Sequence, residues 1–250
     1  MVSFPTPEGI STYHTTAYPS IDVSRPELST AGKVVLITGG GTGLGLAFAQ
    51  HFAAAGSTSI AITGRREQVL LDAQKLIQEK YPKTKVLPLP SDVTDHSSIA
   101  TAFQETTSTF GAKIDILVNN AAFLADWNTI GSDTEDPDQW WNTFSINVRG
   151  SHNVLTAFLP VAAPDATVIN ISSGIIGGVV PGASAYTSSK LAAARVFEFF
   201  QAENPGFRVV NLAPGVIMTD MHQKSVQHFD EKGWEQFPLD DSMYCPYLCL

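Results

Sequence analysis

Cysteine is scarce in this chain: among 250 residues there are two, Cys245 and Cys249. With no other cysteine and no histidine at ligand spacing to join them, a disulfide framework and a Cys/His zinc site are excluded, and no metal is expected. Charge is sparse too, at 16% Asp, Glu, Lys and Arg, and 15 basic against 24 acidic residues give a formal net charge of −9. The longest basic block is Arg65-Arg66, so neither nucleic acid nor an anionic membrane surface is an expected partner. No window approaches the ~18 uncharged apolar residues of a membrane span, and the first residues show neither a basic nor an apolar signal region. The expected location is cytoplasmic. Hydrophobic residues, by contrast, make up 44%, which is enough to build a real core.

Residues 1–32 carry Pro5, Pro7, Pro19 and Pro26 among Ser, Thr and Tyr with no apolar period, and read as an extended arm. Residues 33–250 read as a single domain. There, short β-branched runs at 34–38, 59–63, 86–89, 114–119, 167–171 and 208–212 predict six strands. Stretches with 3.6-residue apolar spacing at 43–55, 67–81, 96–110, 138–159 and 185–202 predict the helices between them. Strands apolar on both faces, such as Ile116-Leu117-Val118, need helices on both sides, and right-handed crossovers then give an α/β doubly wound parallel sheet.

The first strand runs directly into Thr38-Gly-Gly-Gly-Thr-Gly-Leu-Gly45 and then a helix. Glycines let the backbone approach a pyrophosphate, and the helix N-terminus offers it unpaired N–H groups and a positive dipole end. A flexible turn is the plain alternative. A carboxylate for a ribose 2′-hydroxyl is expected about 20 residues further on, but that place holds Arg65, followed by Arg66. Two guanidiniums suit a 2′-phosphate in charge and fork geometry, so the expected cofactor is NADP(H) rather than NAD(H). Pairing with Glu67 at a solvated helix start would be the unremarkable role of the same arginines.

Tyr186 and Lys190 stand four apart in a helical stretch and so share a face. A neighbouring ammonium favours the phenolate, bringing a phenol of ordinary pKa near 10 towards working range. Alone, such a pair is equally an amphipathic helix contact. Ser173, in Ile169-Asn-Ile-Ser-Ser-Gly174, emerges at the end of the fifth strand. Ligands of open α/β sheets bind there, although Ser-Ser-Gly is also ordinary turn chemistry.

The glycine loop, Asn119-Asn-Ala121, Ser173, the Tyr186/Lys190 pair, and Pro214-Gly215 with Thr219 following occur in one order from Lys33 to Thr219. In this the chain resembles the short-chain dehydrogenase/reductase family, classical type. The resemblance implies a Rossmann-type fold and hydride transfer between a nicotinamide and a carbonyl or secondary alcohol. NADPH pools favour reduction, so a ketoreductase acting on a small-molecule carbonyl is expected. It implies Tyr186 as general acid/base, Lys190 as the cation beside it and on the nicotinamide ribose, Ser173 as the group orienting the carbonyl, and Asn147 as the residue holding a relay water. On the cofactor side it implies Thr38, Gly39, Gly41, Thr42, Gly43, Leu44, Gly45, Arg65, Arg66, Asp92, Val93, Asn119, Ala121, Pro214, Gly215, Val216 and Thr219.

Ala122 departs from the family pattern, standing where a glycine is usual. The end of the chain departs further: after Thr219 the family has a substrate lid, a helix and a seventh strand, and here the last residues read as the start of that helix. Without a seventh strand, the sixth becomes an edge and the homo-oligomer contact made through the seventh is lost. The alternative to an enzyme is therefore a truncated, non-catalytic NADP(H)-binding or partner-binding protein. The long arm and the unusual tail fit a tailoring reductase of secondary metabolism. Phe229, Trp234 and Phe237 in the lid segment point to an apolar substrate, while Trp140 and Trp141 read as packing or subunit-contact residues.

Overall fold

The computed structural model describes residues 18–215, 217, 219–221 and 223; Val216 and the 229–237 aromatics lie outside the described residues. Six parallel strands, β1 (Val34–Thr38), β2 (Ser59–Gly64), β3 (Lys85–Pro90), β4 (Ile114–Asn119), β5 (Ala162–Ile171) and β6 (Arg208–Leu212), form one sheet in the order β3-β2-β1-β4-β5-β6. Helices α1 (Gly43–Ala54) and α2 (Glu67–Lys80) pack on one face through Phe48, Leu70 and Ile77 against Val35, Ile37, Ile60 and Ile62. Helices α3 (His96–Phe110), α5 (Gly150–Phe158) and α6 (Ser184–Glu203) cover the other through Phe103, Phe158 and Phe197. The two cores alternate along β1, Val35 and Ile37 to one side and Val34 and Leu36 to the other, as a strand covered on both faces requires. Each fully buried phenylalanine contributes about 1.5–3 kcal/mol of transfer free energy.

This is the doubly wound Rossmann-type sandwich expected from the βα alternation, in a single domain. The strands fall within a residue or so of their predicted places except β5, which begins at Ala162 rather than 167. Ile114 pairs with Ala162 and Ile116 with Thr167, so the intervening Pro164 and Asp165 bulge out of the ladder. Proline has no N–H to give a ladder, which hid the strand's first half. Opposite the bulge, the Asp115 carboxylate accepts hydrogen bonds from Val34 N at 2.8 Å and Lys33 Nζ at 2.9 Å, pinning the start of β1. Residues 18–32 run over the surface in two short 3₁₀ turns, with Ile21 buried and Thr30 bonded to Phe52 O and Ala55 O.

The predicted helix over 138–159 is corrected by the structure. It consists of α4 (Pro137–Phe144), one turn of π-helix at Ser145–Arg149, and then α5. The wider turn takes up one extra residue, a slip of about 100° that stays within the breadth of an apolar stripe, so sequence periodicity passes over it. Single π turns concentrate at functional sites, and this one carries Asn147, which is 2% exposed.

Candidate active site

All six strands point the same way, so the ends of β1, β4, β5 and β6 open on a single edge of the sheet, the usual place for a ligand crevice. After β1 the chain turns through Gly39, with φ of 65°, into α1. A Cβ on Gly45 would stand 2.1 Å from Gly39 O, and one on Gly40 2.7 Å from Ile62. These two positions admit only glycine because the loop is folded tightly onto the strand and helix. Asn120, just past the end of the neighbouring strand β4, locks it: its Nδ2 donates to Thr38 O at 2.9 Å and Gly39 O at 3.2 Å. Thr38 is itself buried, and its hydroxyl oxygen accepts from Asn120 N and Ala121 N, both at 3.0 Å.

At α3 and α4 an aspartate side chain caps the helix start, Asp95 and Asp136 respectively. At α1 the N-cap residue Thr42 makes no side-chain cap bond, which leaves the first-turn N–H groups from Gly43 to Gly45 for an anionic partner. Thr219 reaches this turn from the segment after β6: its methyl group lies 3.4 Å from where a Gly43 Cβ would be. Pro214 and Gly215, with φ of 83°, lead into it. Among the described residues the guanidiniums of Arg65 and Arg66, both exposed just after β2, make no ion pair and no hydrogen bond, not even with Glu67. The donors around the glycine turn and the exposed guanidiniums therefore fit a dinucleotide with an extra phosphate.

The remaining cofactor-side positions are placed as follows. Asp92 follows β3, and its Oδ1 accepts from Thr94 N and Oγ1, both at 2.8 Å. Val93 packs on Gly150, where a Cβ would come within 2.8 Å of its methyl, and its carbonyl accepts from Asn153 Nδ2 at 2.9 Å. Asn119 faces the α5 side, donating to Ser151 Oγ and Asn170 Oδ1 at 3.0 Å each. Its role visible here is to tie β4 to β5 and α5.

Tyr186 lies in the first turn of α6 and Lys190 one turn on, with Nζ 5.8 Å from the phenol ring centroid. Lys190 is 6% exposed and donates to Ile171 O at 2.7 Å, which fastens α6 to the end of β5 two residues before Ser173. Ser173 Oγ accepts from Ile175 N at 3.4 Å and is half-buried. Burial pushes the Tyr186 phenol up to about 12 and the Lys190 ammonium down to about 8. The expected lowering of Tyr186 by its neighbour is thus reversed: removal from water disfavours both charged forms, and the ammonium is turned to a carbonyl rather than to the phenol oxygen.

Asn147 is held on every side. Its Oδ1 accepts from Phe123 N at 2.8 Å, its Nδ2 donates to Phe123 O at 2.9 Å and to Ser189 Oγ at 3.0 Å, and its carbonyl accepts from Ser151 Oγ at 2.7 Å. With both amide hydrogens used, any water it holds must be taken by an oxygen lone pair. Trp140 stacks on Phe144 and donates through Nε1 to Ser184 Oγ at 3.0 Å, bracing the start of α6. Reading the sequence missed Gly40, Asn120, Ser151 and Ser189. The signal for three of them was adjacency, Gly40 inside the loop, Asn120 inside Asn-Asn-Ala, and Ser189 beside Lys190.

The short chain dehydrogenase family model matches residues 33–230. The chain is 34% identical over 234 residues to the short chain dehydrogenase mpl6 of Monascus purpureus, covering 88% of this chain and 77% of that protein. It is also 34% identical over 214 residues to the short chain dehydrogenase tazN of Aspergillus terreus, covering 83% and 46%. Among solved structures it superposes on levodione reductase with a TM-score of 0.73 at 28% identity, covering 81% of this chain and 78% of that one. It superposes on the 3-ketoacyl-(acyl-carrier-protein) reductase of Brucella melitensis complexed with NADH with a TM-score of 0.70 at 26% identity, covering 78% and 81%. With the fold, the glycine turn and the Tyr186/Lys190 helix all in place, the chain belongs to the short-chain dehydrogenase family of oxidoreductases, which work on small molecules with a nicotinamide cofactor.

Proposed function

We propose that the chain is an NADP(H)-dependent ketoreductase, with Tyr186, Lys190, Ser173 and Asn147 as its catalytic group. The observation that carries the reading is the fastening of α6 to the end of β5 by Lys190 Nζ on Ile171 O, which sets Tyr186 and Ser173 on one sheet edge with the glycine turn. The α1 first turn with Thr42, Gly43, Leu44 and Gly45 would receive the pyrophosphate, with Gly39 and Gly41 shaping the turn. Arg65 and Arg66 would hold the 2′-phosphate, Asp92 and Val93 would border the adenine, and Ala121, Pro214, Gly215, Val216 and Thr219 the nicotinamide half. The bound nicotinamide supplies the hydride. Ser173 Oγ donates a hydrogen bond to the substrate carbonyl oxygen, Tyr186 delivers the proton to that oxygen as it becomes an alcohol, and Lys190 stabilises the phenolate left behind.

A carbonyl substrate is supported by two solved relatives that are named for reducing a dione and a 3-ketoacyl group. One of them is described with NADH; the preference for NADP(H) here rests on Arg65 and Arg66 standing where an acidic residue would select NAD(H). The test is turnover of NADPH and NADH on a panel of ketones and aldehydes, with Tyr186→Phe alongside. The variant is expected to bind NADPH as the parent does and to turn nothing over. Retained turnover in Tyr186→Phe overturns the mechanism, and a parent chain that binds NADPH but reduces nothing favours a non-catalytic binding protein.

A further inference from the structure

Six side chains form a circuit of hydrogen bonds that begins and ends on α6. Asn119, Asn170 and Asn211 stand opposite one another across β4, β5 and β6. Asn211 Nδ2 donates to Ala194 O of α6 at 3.1 Å, Asn170 Nδ2 to Asn211 Oδ1 at 2.8 Å, and Asn119 Nδ2 to Asn170 Oδ1 at 3.0 Å. The second Asn119 hydrogen goes to Ser151 Oγ at 3.0 Å, and the Ser151 hydroxyl passes on to Asn147 O at 2.7 Å. From Asn147 Nδ2 the circuit runs to Ser189 Oγ at 3.0 Å, whose hydroxyl donates to Tyr186 O at 2.9 Å. Its two ends on α6, Ala194 and Tyr186, are about two helical turns apart. Asn119, Asn147, Ser151, Asn170 and Ser189 are all buried, so water offers their polar atoms no substitute partner.

A serine or threonine hydroxyl bonded to the carbonyl four residues back is common in helices. Thr106 does just this, donating to Ala102 O at 2.9 Å. Ser151 differs because its oxygen also accepts from the sheet, and the carbonyl it holds belongs to the π turn. Ser189 differs because its oxygen receives the π-turn amide while its proton goes to the backbone of Tyr186. Each hydroxyl has a single proton, so the direction of every bond in this stretch is fixed: sheet to Ser151, Ser151 to Asn147, Asn147 to Ser189, Ser189 to Tyr186.

We propose that Ser151 and Ser189 are positioning residues, acting through Asn147 to hold the π turn and the first turn of α6 in the geometry that aims Tyr186 at a substrate. The proposal rests on the ketoreductase reading for its kinetic meaning and on the circuit alone for its structural meaning. The experiment uses the full chain with Ser151→Ala, Ser189→Ala and, as a control, Thr106→Val, which removes a buried hydroxyl bond of the same kind far from the site. Hydrogen exchange of the 145–150 amides and of the first α6 turn is expected to quicken about tenfold in both serine variants and to stay at the parent rate in the control, in proportion to one lost buried hydrogen bond. Per NADPH-binding site, kcat is expected to fall about tenfold in the serine variants with KM for NADPH unchanged, while Thr106→Val keeps the parent kcat. Unchanged exchange in the serine variants overturns the proposal, as does quickened exchange with the parent kcat. Should Ser151→Ala not fold, Ser189→Ala carries both measurements, since it leaves the sheet bonds intact. A parent chain without turnover refutes the ketoreductase reading, and the exchange rates still decide whether the circuit holds the π turn.

Discussion

Replacing Lys190 with methionine should change how the stability of the cofactor-free fold depends on pH, and the structure gives the sign. Burial lowers the ammonium from an ordinary 10.5 to about 8, even with the Ile171 carbonyl 2.7 Å away. At about 1.36 kcal/mol per unit, the charged lysine costs the fold on the order of 3 kcal/mol. Below about pH 8 both folded and unfolded chains carry the proton, and that cost is borne in full. Between about 8 and 10.5 the unfolded chain keeps its proton while the folded one has lost it, so stability rises with pH. Tyr186 acts in the opposite sense: its phenol is raised from 10 to about 12, so its contribution is complete below 10 and is lost from there to 12. The interval from about pH 8 to 10 therefore belongs to the lysine. Urea unfolding of the parent and Lys190→Met, measured across that interval, should show the parent gaining about 2 kcal/mol relative to the variant. A difference that stays flat with pH refutes the account of a lysine whose charge is expensive where it sits.

Gly45→Ala should cost about 3 kcal/mol or prevent folding, because the added Cβ would meet Gly39 O at 2.1 Å and neither backbone can yield; thermal unfolding measures the loss, and a variant as stable as the parent contradicts the packing. Arg65→Ser with Arg66→Ser should weaken NADPH binding by about ten- to a hundredfold and leave NADH binding nearly unaltered, since one or two charge-assisted bonds are removed; a titration by nicotinamide fluorescence checks it, and equal losses for the two cofactors count against the 2′-phosphate assignment. Asp115→Ala should destabilise the fold by about 1–3 kcal/mol by stripping the buried end of β1 of an acceptor for Val34 N, visible as a lower unfolding midpoint with cofactor affinity preserved.

Much of the fold was legible because its signals are local. Val34 to Thr38 is mostly β-branched and is followed by glycine, and Leu44, Phe48 and Phe52 recur at helical spacing, so strand, turn and helix each announce themselves. The start of β5 was not legible, since Pro164 and Asp165 argue against a strand and only the pairing with β4 shows the bulge that tolerates them. The π turn was hidden for a related reason. Buried residues occur before and after it, and a one-residue slip in phase is smaller than the width of an apolar stripe. At the site, Tyr186, Lys190 and Ser173 stood out by residue type and spacing, but Ser151 and Ser189 did not. Their importance lies in what they touch across 32 and 42 residues of sequence, and a serine in a helix carries no mark of that.

The behaviour of the Tyr186/Lys190 pair follows from the same burial that makes the edge a site. In the cofactor-free fold both groups are driven towards neutrality, the phenol upward and the ammonium downward. For a reduction this is the useful direction at the phenol, because the group that must give a proton to a forming alkoxide has to hold it beforehand. What it needs from the lysine is a positive charge when the proton leaves. An ammonium near 8 that is bonded to Ile171 O supplies that charge at neutral pH and is anchored to β5, so its position is set by the strand and not by the phenol it serves. In the proposed ketoreductase mechanism Lys190 then stabilises the phenolate after transfer rather than ionising the tyrosine in advance, and turnover in the direction of reduction should decline as the pH passes about 8, following the lysine well before the tyrosine titrates; a kcat that stays level from about pH 7 to 10 refutes that role.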